Sequence, residues 1–128
     1  MYNIKADYHT HTLYSHGKGT ILDNVEVARR KGLEKIAITD HGFRHVLFGM
    51  SKEDIQKMRK EIDEINSKYN DIEVLLGIEA NLIGLDGSID LPDEYSDFFD
   101  IVLMGFHPGA IPHSPMDFWK LFARNIIG

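Results

Sequence analysis

The chain has no cysteine among its 128 residues, which excludes disulfides, thiolate metal sites and a cysteine nucleophile. No apolar run approaches the roughly 18 residues needed to cross a bilayer. The opening segment, Met1 to Asp7, also lacks the apolar core of a signal peptide. Basic side chains are outnumbered, 14 against 20, giving a formal net charge of −6 and a pI near 5.6. That balance argues against a broadly basic nucleic-acid surface. No Gly-x-Gly-x-x-Gly or Walker pattern follows the first apolar run, which argues against a dinucleotide or P-loop site. Repeats, low-complexity tracts and linkers are absent as well. What is left fits one globular domain with a default location in the cytoplasm.

Within that domain, short apolar runs alternate with helical patterns. Residues 3–8 read as a first strand, with Ile4 and Ala6 on one face. Thr20 caps a helix over about 21–31, where Ile21, Val25 and Ala28 share a face, Asp23 stands at N3 and Gly32 is the stop. A buried strand follows at 35–39. Ser51 and Asp54 form a second capping box before a helix that runs to about Tyr69, with Ile55, Met58, Ile62 and Ile65 on its apolar face. The third strand is 72–78, the Asp86-Gly87 pair after it marks a hairpin excursion, and the fourth strand is 100–105. A last helix begins near Pro115 and covers Met116 to Ile127. Such alternation implies a parallel α/β sheet, open or part of a barrel, with ligands at the carboxyl ends of its strands.

Histidines gather at those ends. Of the seven, His9, His11 and His16 follow or close the first strand, His41 the second and His107 the fourth, while Glu79 closes the third. Side chains two apart on a strand point the same way, so His9 and His11 can hold one cation together. Imidazole and carboxylate suit zinc, manganese and iron, and a carboxylate can bridge two ions. One such histidine alone is ordinarily a hydrogen-bonded or surface group. Four βα junctions delivering ligand types to one rim depart from that expectation.

Asp7 and Asp40 stand just before these groups and either orient an imidazole or are plain strand-end polar residues. Lys18, Arg44 and His45 lie on rim loops, as solvated groups or as contacts to an anionic substrate. His113 reads as surface. Phe118, Trp119 and Phe122 read as packing groups, and the acidic stretch from Asp93 to Asp100 as solvated surface.

DYHTHT, the following His16, ITDHG, GIEAN and GFH, in that order, resemble the PHP (polymerase and histidinol phosphatase) superfamily, nearest to its stand-alone phosphatase branch. GIEANLIGLDGSIDL supports that branch, and the resemblance covers residues 2 to about 110. It implies a partial TIM-like β/α barrel, about the first four βα units of a distorted seven-stranded one. It also implies a multinuclear centre of two or three divalent ions and hydrolysis of phosphate esters by a metal-activated water. By position, His9 and His11 would take one ion and Glu79 would bridge it to a second. His107 would take the second, and His16 and His41 the third.

Stand-alone PHP phosphatases are about twice as long, and their remaining ligands, another His and a late Asp-x-His pair, have no counterpart here. Met1 reads as a natural start and the end at Gly128 as abrupt. Residues 1–128 are therefore expected to be the amino-terminal half of a PHP domain, an incomplete barrel. Its open edges should favour self-association or pairing with a carboxyl-terminal half. The expected partner is a small-molecule phosphate ester, with no membrane. Three rival functions stand beside the phosphatase. They are an inactive metal-binding fragment, a nucleic-acid-processing PHP domain with exonuclease activity, and a metal-free sugar or amino-acid binding module.

Overall fold

Four strands, β1 (Ala6–Thr10), β2 (Lys35–His41), β3 (Glu73–Asn81) and β4 (Ile101–Gly105), pair in parallel in the order β1-β2-β3-β4. With helices α1 (Ile21–Arg30), α2 (Lys52–Lys68) and α3 (Pro115–Ile127) they make the curled half of a TIM-like barrel. This computed structural model describes residues 3–127. Met1 and Gly128, the expected start and stop, lie outside the described residues. Among the described residues no helix is long and apolar enough to cross a membrane.

Local sequence explains the helix boundaries. Both expected capping boxes form: Thr20 with Asp23, and Ser51 with Asp54, each satisfying backbone N–H groups that a first turn leaves unpaired. Helix α1 stops where Gly32 takes φ +74°. The Leu33 N–H then bonds Ala28 O at 3.0 Å and the Gly32 N–H bonds Arg29 O at 2.9 Å. This is a Schellman closure that needs a residue free to enter the left-handed region.

The apolar faces are those the periodicity indicated. Ile21, Val25 and Ala28 of α1 and Ile55, Met58, Ile62 and Ile65 of α2 are buried, packed in one cluster with Ile36, Ile38, Val74, Leu76 and Ile78. Those strand positions are two apart, so they share the helix-covered face, and Thr39, His41, Gly77 and Glu79 fall on the other. The hairpin after β3 is present, with Leu82 opposite Ile89 and the turn at Gly84–Gly87.

Two expectations need correction here. The first strand begins at Ala6 and runs through His9 to Thr10, whereas 3–8 was expected. It is an edge strand whose pairing begins at Ala6 opposite Lys35, and Ile4 is 73% exposed, so the Ile4/Ala6 alternation does not mark a buried face. Trp119 is 66% exposed, although Phe118 and Phe122 do stack, 6.2 Å between centroids. On β4, Val102 and Met104 are also exposed, on the face that helices cover elsewhere in the sheet. The acidic stretch is solvated as expected, within a 3-10 turn at Asp93–Phe98, but Asp100 at its end accepts the Leu76 N–H at 2.8 Å and pairs with Arg59.

Candidate metal centre

Glu79 stands at the centre of the carboxyl rim, 7% exposed. Its Oε2 lies 3.3 Å from His9 Nε2, 3.3 Å from His11 Nε2 and 3.2 Å from His41 Nδ1. Its Oε1 lies 3.1 Å from His107 Nε2. One carboxylate therefore faces imidazoles from three strand ends. His16 closes the set, its ring 4.3 Å from His11 and 4.9 Å from His41. The six residues fall into three overlapping groups: His9 with His11 and Glu79, His41 with Glu79 and His107, and His11 with His16 and His41. In each group one ligand atom per residue lies within 4.8 Å of the others. The structure brings together all six candidates, and it gives His41 a place in two groups.

Backbone features aim these side chains. In β1 the pairing register slips between Asp7 and Thr10, a bulge that re-aims the strand just where His9 sits. The loop carrying His11 and His16 is moored by Asp40, which is fully buried. Its carboxylate accepts the Thr12 N–H at 2.8 Å, the Thr12 hydroxyl at 2.7 Å and the Ser15 hydroxyl, and Ser15 Oγ lies 3.3 Å from His11 Nδ1. Asp40 thus reaches His11 through Ser15. Asp7 does not orient an imidazole: its carboxylate accepts the backbone N–H of His9 at 3.1 Å, and it lines a cleft beside Thr10, Val27 and Lys31.

On the far side of Glu79, polar residues form a chain that was not nominated from sequence. Asp90, 4% exposed, accepts the Asn81 N–H at 2.7 Å, the Asn81 side-chain amide and the Arg44 N–H at 2.7 Å. A carboxylate only accepts, so the Asn81 NH₂ faces Asp90 and its Oδ1 faces His107 Nδ1, 2.8 Å away. His107 then carries a proton on Nδ1; its Nε2, which donates to Glu79 Oε1 at 3.1 Å, would turn a lone pair to that side once a cation took the proton's place. Two-residue spacing from Glu79 puts Asn81 on the same face and was the one available clue; nothing local pointed to Asp90.

Of the loop residues, Arg44 spends its guanidinium on Pro112 O at 3.3 Å, Lys18 is exposed, and His113, also exposed, meets Ser88 Oγ at 3.1 Å. His45 stacks on His41, 4.7 Å between centroids and 23° between planes.

The electrostatics suit a cation. Burial pushes the His41 imidazole down to about 4, aided by its neighbours His11, His107 and His45 and opposed by Glu79. Burial, with His16 close by, also lowers His11. Burial alone would raise the Glu79 carboxyl, but the His9 hydrogen bond and the charges of His107, His9 and His41 outweigh it and hold it below the ordinary carboxylate value. Neutral His11 and His41 beside an ionised Glu79 are the protonation states that coordination requires. His41 Nδ1 is buried with no hydrogen-bond partner, an orphan that a coordinated ion would satisfy. The donor set therefore fits a divalent metal.

The model of the PHP domain family matches residues 7–113. The chain belongs to the PHP domain family. It is 39% identical over 111 residues to a probable phosphatase of Caldanaerobacter subterraneus subsp. tengcongensis, covering 81% of this chain and 39% of that protein. A probable phosphatase of Aeromonas hydrophila is 33% identical over 116 residues, 84% of this chain and 42% of the relative. The DNA polymerase/3′-5′ exonuclease PolX of Bacillus subtilis is 33% identical over 105 residues, 81% of this chain but 18% of PolX. The PHP chain thus spans about two fifths of the two probable phosphatases.

Proposed function

We propose that this PHP chain carries the metal-binding part of a phosphoesterase that hydrolyses small-molecule phosphate monoesters. His9, His11, His16, His41, Glu79 and His107 are its ligands. The observation that carries the reading is Glu79, one oxygen turned to three imidazoles and the other to His107, the disposition of a carboxylate shared between two cations. Divalent ions held there supply a water of lowered pKa and positive charge against phosphoryl oxygens, which also reconciles a net charge of −6 with an anionic substrate.

The chain's own residues do the rest. Asn81 and Asp90 orient His107, Asp40 and Ser15 hold His11, and burial keeps the His41 and His11 imidazoles neutral at pH 7. The two probable phosphatases support the monoesterase reading, and the rest of a barrel, from a carboxyl-terminal half, belongs to the proposal as its completion. Six ligands suffice for one or two ions of zinc, manganese or iron, and a third binds weakly without that completion.

The test is elemental analysis of the purified chain together with hydrolysis of an aryl phosphate, alone and with a carboxyl-terminal half added. Metal near one or two ions per chain and turnover abolished by EDTA are expected; turnover that persists in excess EDTA overturns the mechanism. The likeness to PolX favours a second reading, an exonuclease-type PHP domain. Release of nucleotides from single-stranded DNA, without aryl phosphate hydrolysis, would decide for it.

A further inference from the structure

Resting on the phosphoesterase reading, we infer that His45 is a substrate contact, donating an Nε2–H hydrogen bond to a non-bridging oxygen of the phosphoryl group, and is not a metal ligand. The loop that carries it is zipped to the loop after β4. His45 bridges Ala110 in antiparallel fashion, the Val46 N–H bonds Gly109 O at 2.9 Å, and the Ile111 N–H bonds Arg44 O at 2.9 Å. This places the His45 ring flat on His41 and 6.0 Å from His107 between centroids, beside two members of the metal centre. Yet His45 belongs to none of the three ligand groups.

Its chemistry differs from theirs for a local reason. The backbone N–H of Phe48 donates to His45 Nδ1 at 3.2 Å. A backbone N–H only donates, so Nδ1 must hold the lone pair, and in the neutral ring Nε2 carries the proton. His107 has the opposite polarity, because Asn81 Oδ1 takes its Nδ1–H. Two imidazoles about 6 Å apart are thereby sorted by their hydrogen-bond partners. His107 offers Nε2 as an electron pair for a cation, and His45 offers Nε2 as a donor for an anion.

The lack of a side chain at Gly109 leaves room for the ring: a Cβ built there would lie 3.0 Å from both His45 Cε1 and Nε2. Phe48 packs its own ring 5.2 Å from that of His45 and 5.4 Å from that of His16. Arg44 turns one guanidinium nitrogen to Pro112 O and Lys18 stands exposed on its loop, while His45 alone of the three stacks on a member of the metal centre.

The experiment uses the full chain loaded with zinc and probed with inorganic phosphate. In ¹⁵N-detected spectra His45 is expected to show the Nε2–H tautomer before and after zinc, while the ligand imidazoles shift on loading. His45→Ala should keep the wild-type zinc content and weaken phosphate binding about tenfold, the cost of losing one hydrogen bond to a charged group. His45→Gln, whose terminal amide reaches a similar point, should restore most of that loss and guards against misfolding of the alanine variant. Zinc content that falls in both variants overturns the inference, since His45 would then be a ligand. Zinc retained with phosphate affinity unchanged overturns it as well. A wild-type chain that binds no zinc sinks the phosphoesterase reading itself, whereas wild-type zinc uptake without phosphate binding sinks this inference alone.

Discussion

Asp90 grips Asn81 at both ends, one carboxylate oxygen on its backbone N–H and the other on its side-chain amide. The pair is nine residues apart in sequence, with the hairpin between them. It converts the position of a buried carboxylate into the tautomer of His107.

Asn81→Ala should therefore weaken metal binding about 10- to 100-fold, the usual cost of losing the partner that orients a ligand. Competition with a chelating dye measures it. Asp90→Ala does more, because it strands the buried N–H of Asn81 and the half-buried N–H of Arg44. A loss of about 3 kcal/mol in urea unfolding is expected, at about 1–3 kcal/mol for each donor left unpaired.

Gly42 is the neighbour that makes this grip possible. A Cβ at that position would stand 2.3 Å from Asp90 Oδ1, and the carboxylate is pinned by its amides and cannot yield. Gly42→Ala should cost about 1–3 kcal/mol as overpacking. Thermal melting of the variant, with an unchanged or higher midpoint, would refute the contact.

Because His41 stands in two ligand groups and His9 in one, their alanine variants should differ. His9→Ala is expected to lower zinc stoichiometry by no more than one ion, and His41→Ala to lower it further. Mass spectrometry of native protein gives both values.

Thr20→Ala and Ser51→Ala remove the two capping hydroxyls and should each cost about 1 kcal/mol of unfolding free energy. The Asp23 carboxyl is held below its ordinary value of 3.8 by the backbone N–H and then the hydroxyl of Thr20. A depressed folded-state value stabilises the fold fully above 3.8 and loses that contribution as pH falls through the folded value. Asp23→Asn should therefore flatten the acid limb of the stability profile below about pH 4 and leave its neutral region with the same slope.

The helices were legible because their signals are local: a capping residue, its acidic partner three places on, and apolar residues at 3- and 4-residue spacing. A parallel sheet and its rim were legible because a βα alternation leaves few topologies, and because His9, His11, His41, Glu79 and His107 stand at or just past predicted strand ends; the choice of barrel over open sheet came only with the family resemblance. Strand β1 was misplaced since an edge strand has one exposed side and a bulge, so its alternation carries little. Asp90 escaped notice because its role arises only when the hairpin folds it back onto Asn81 and Gly42. Asp7 misled for the same reason in reverse: proximity in sequence to His9 became a bond to its backbone and not to its ring.

Pairing each strand with the one just made, in the order β1-β2-β3-β4, has a consequence for synthesis on the ribosome. Every new strand finds its docking edge already outside the exit tunnel, so the sheet can grow vectorially, while the loops at its rim wait for later partners. The Glu79 carboxylate emerges only after the strands that carry His9 and His41 have left the tunnel, so the rim can be assembled around it as it arrives.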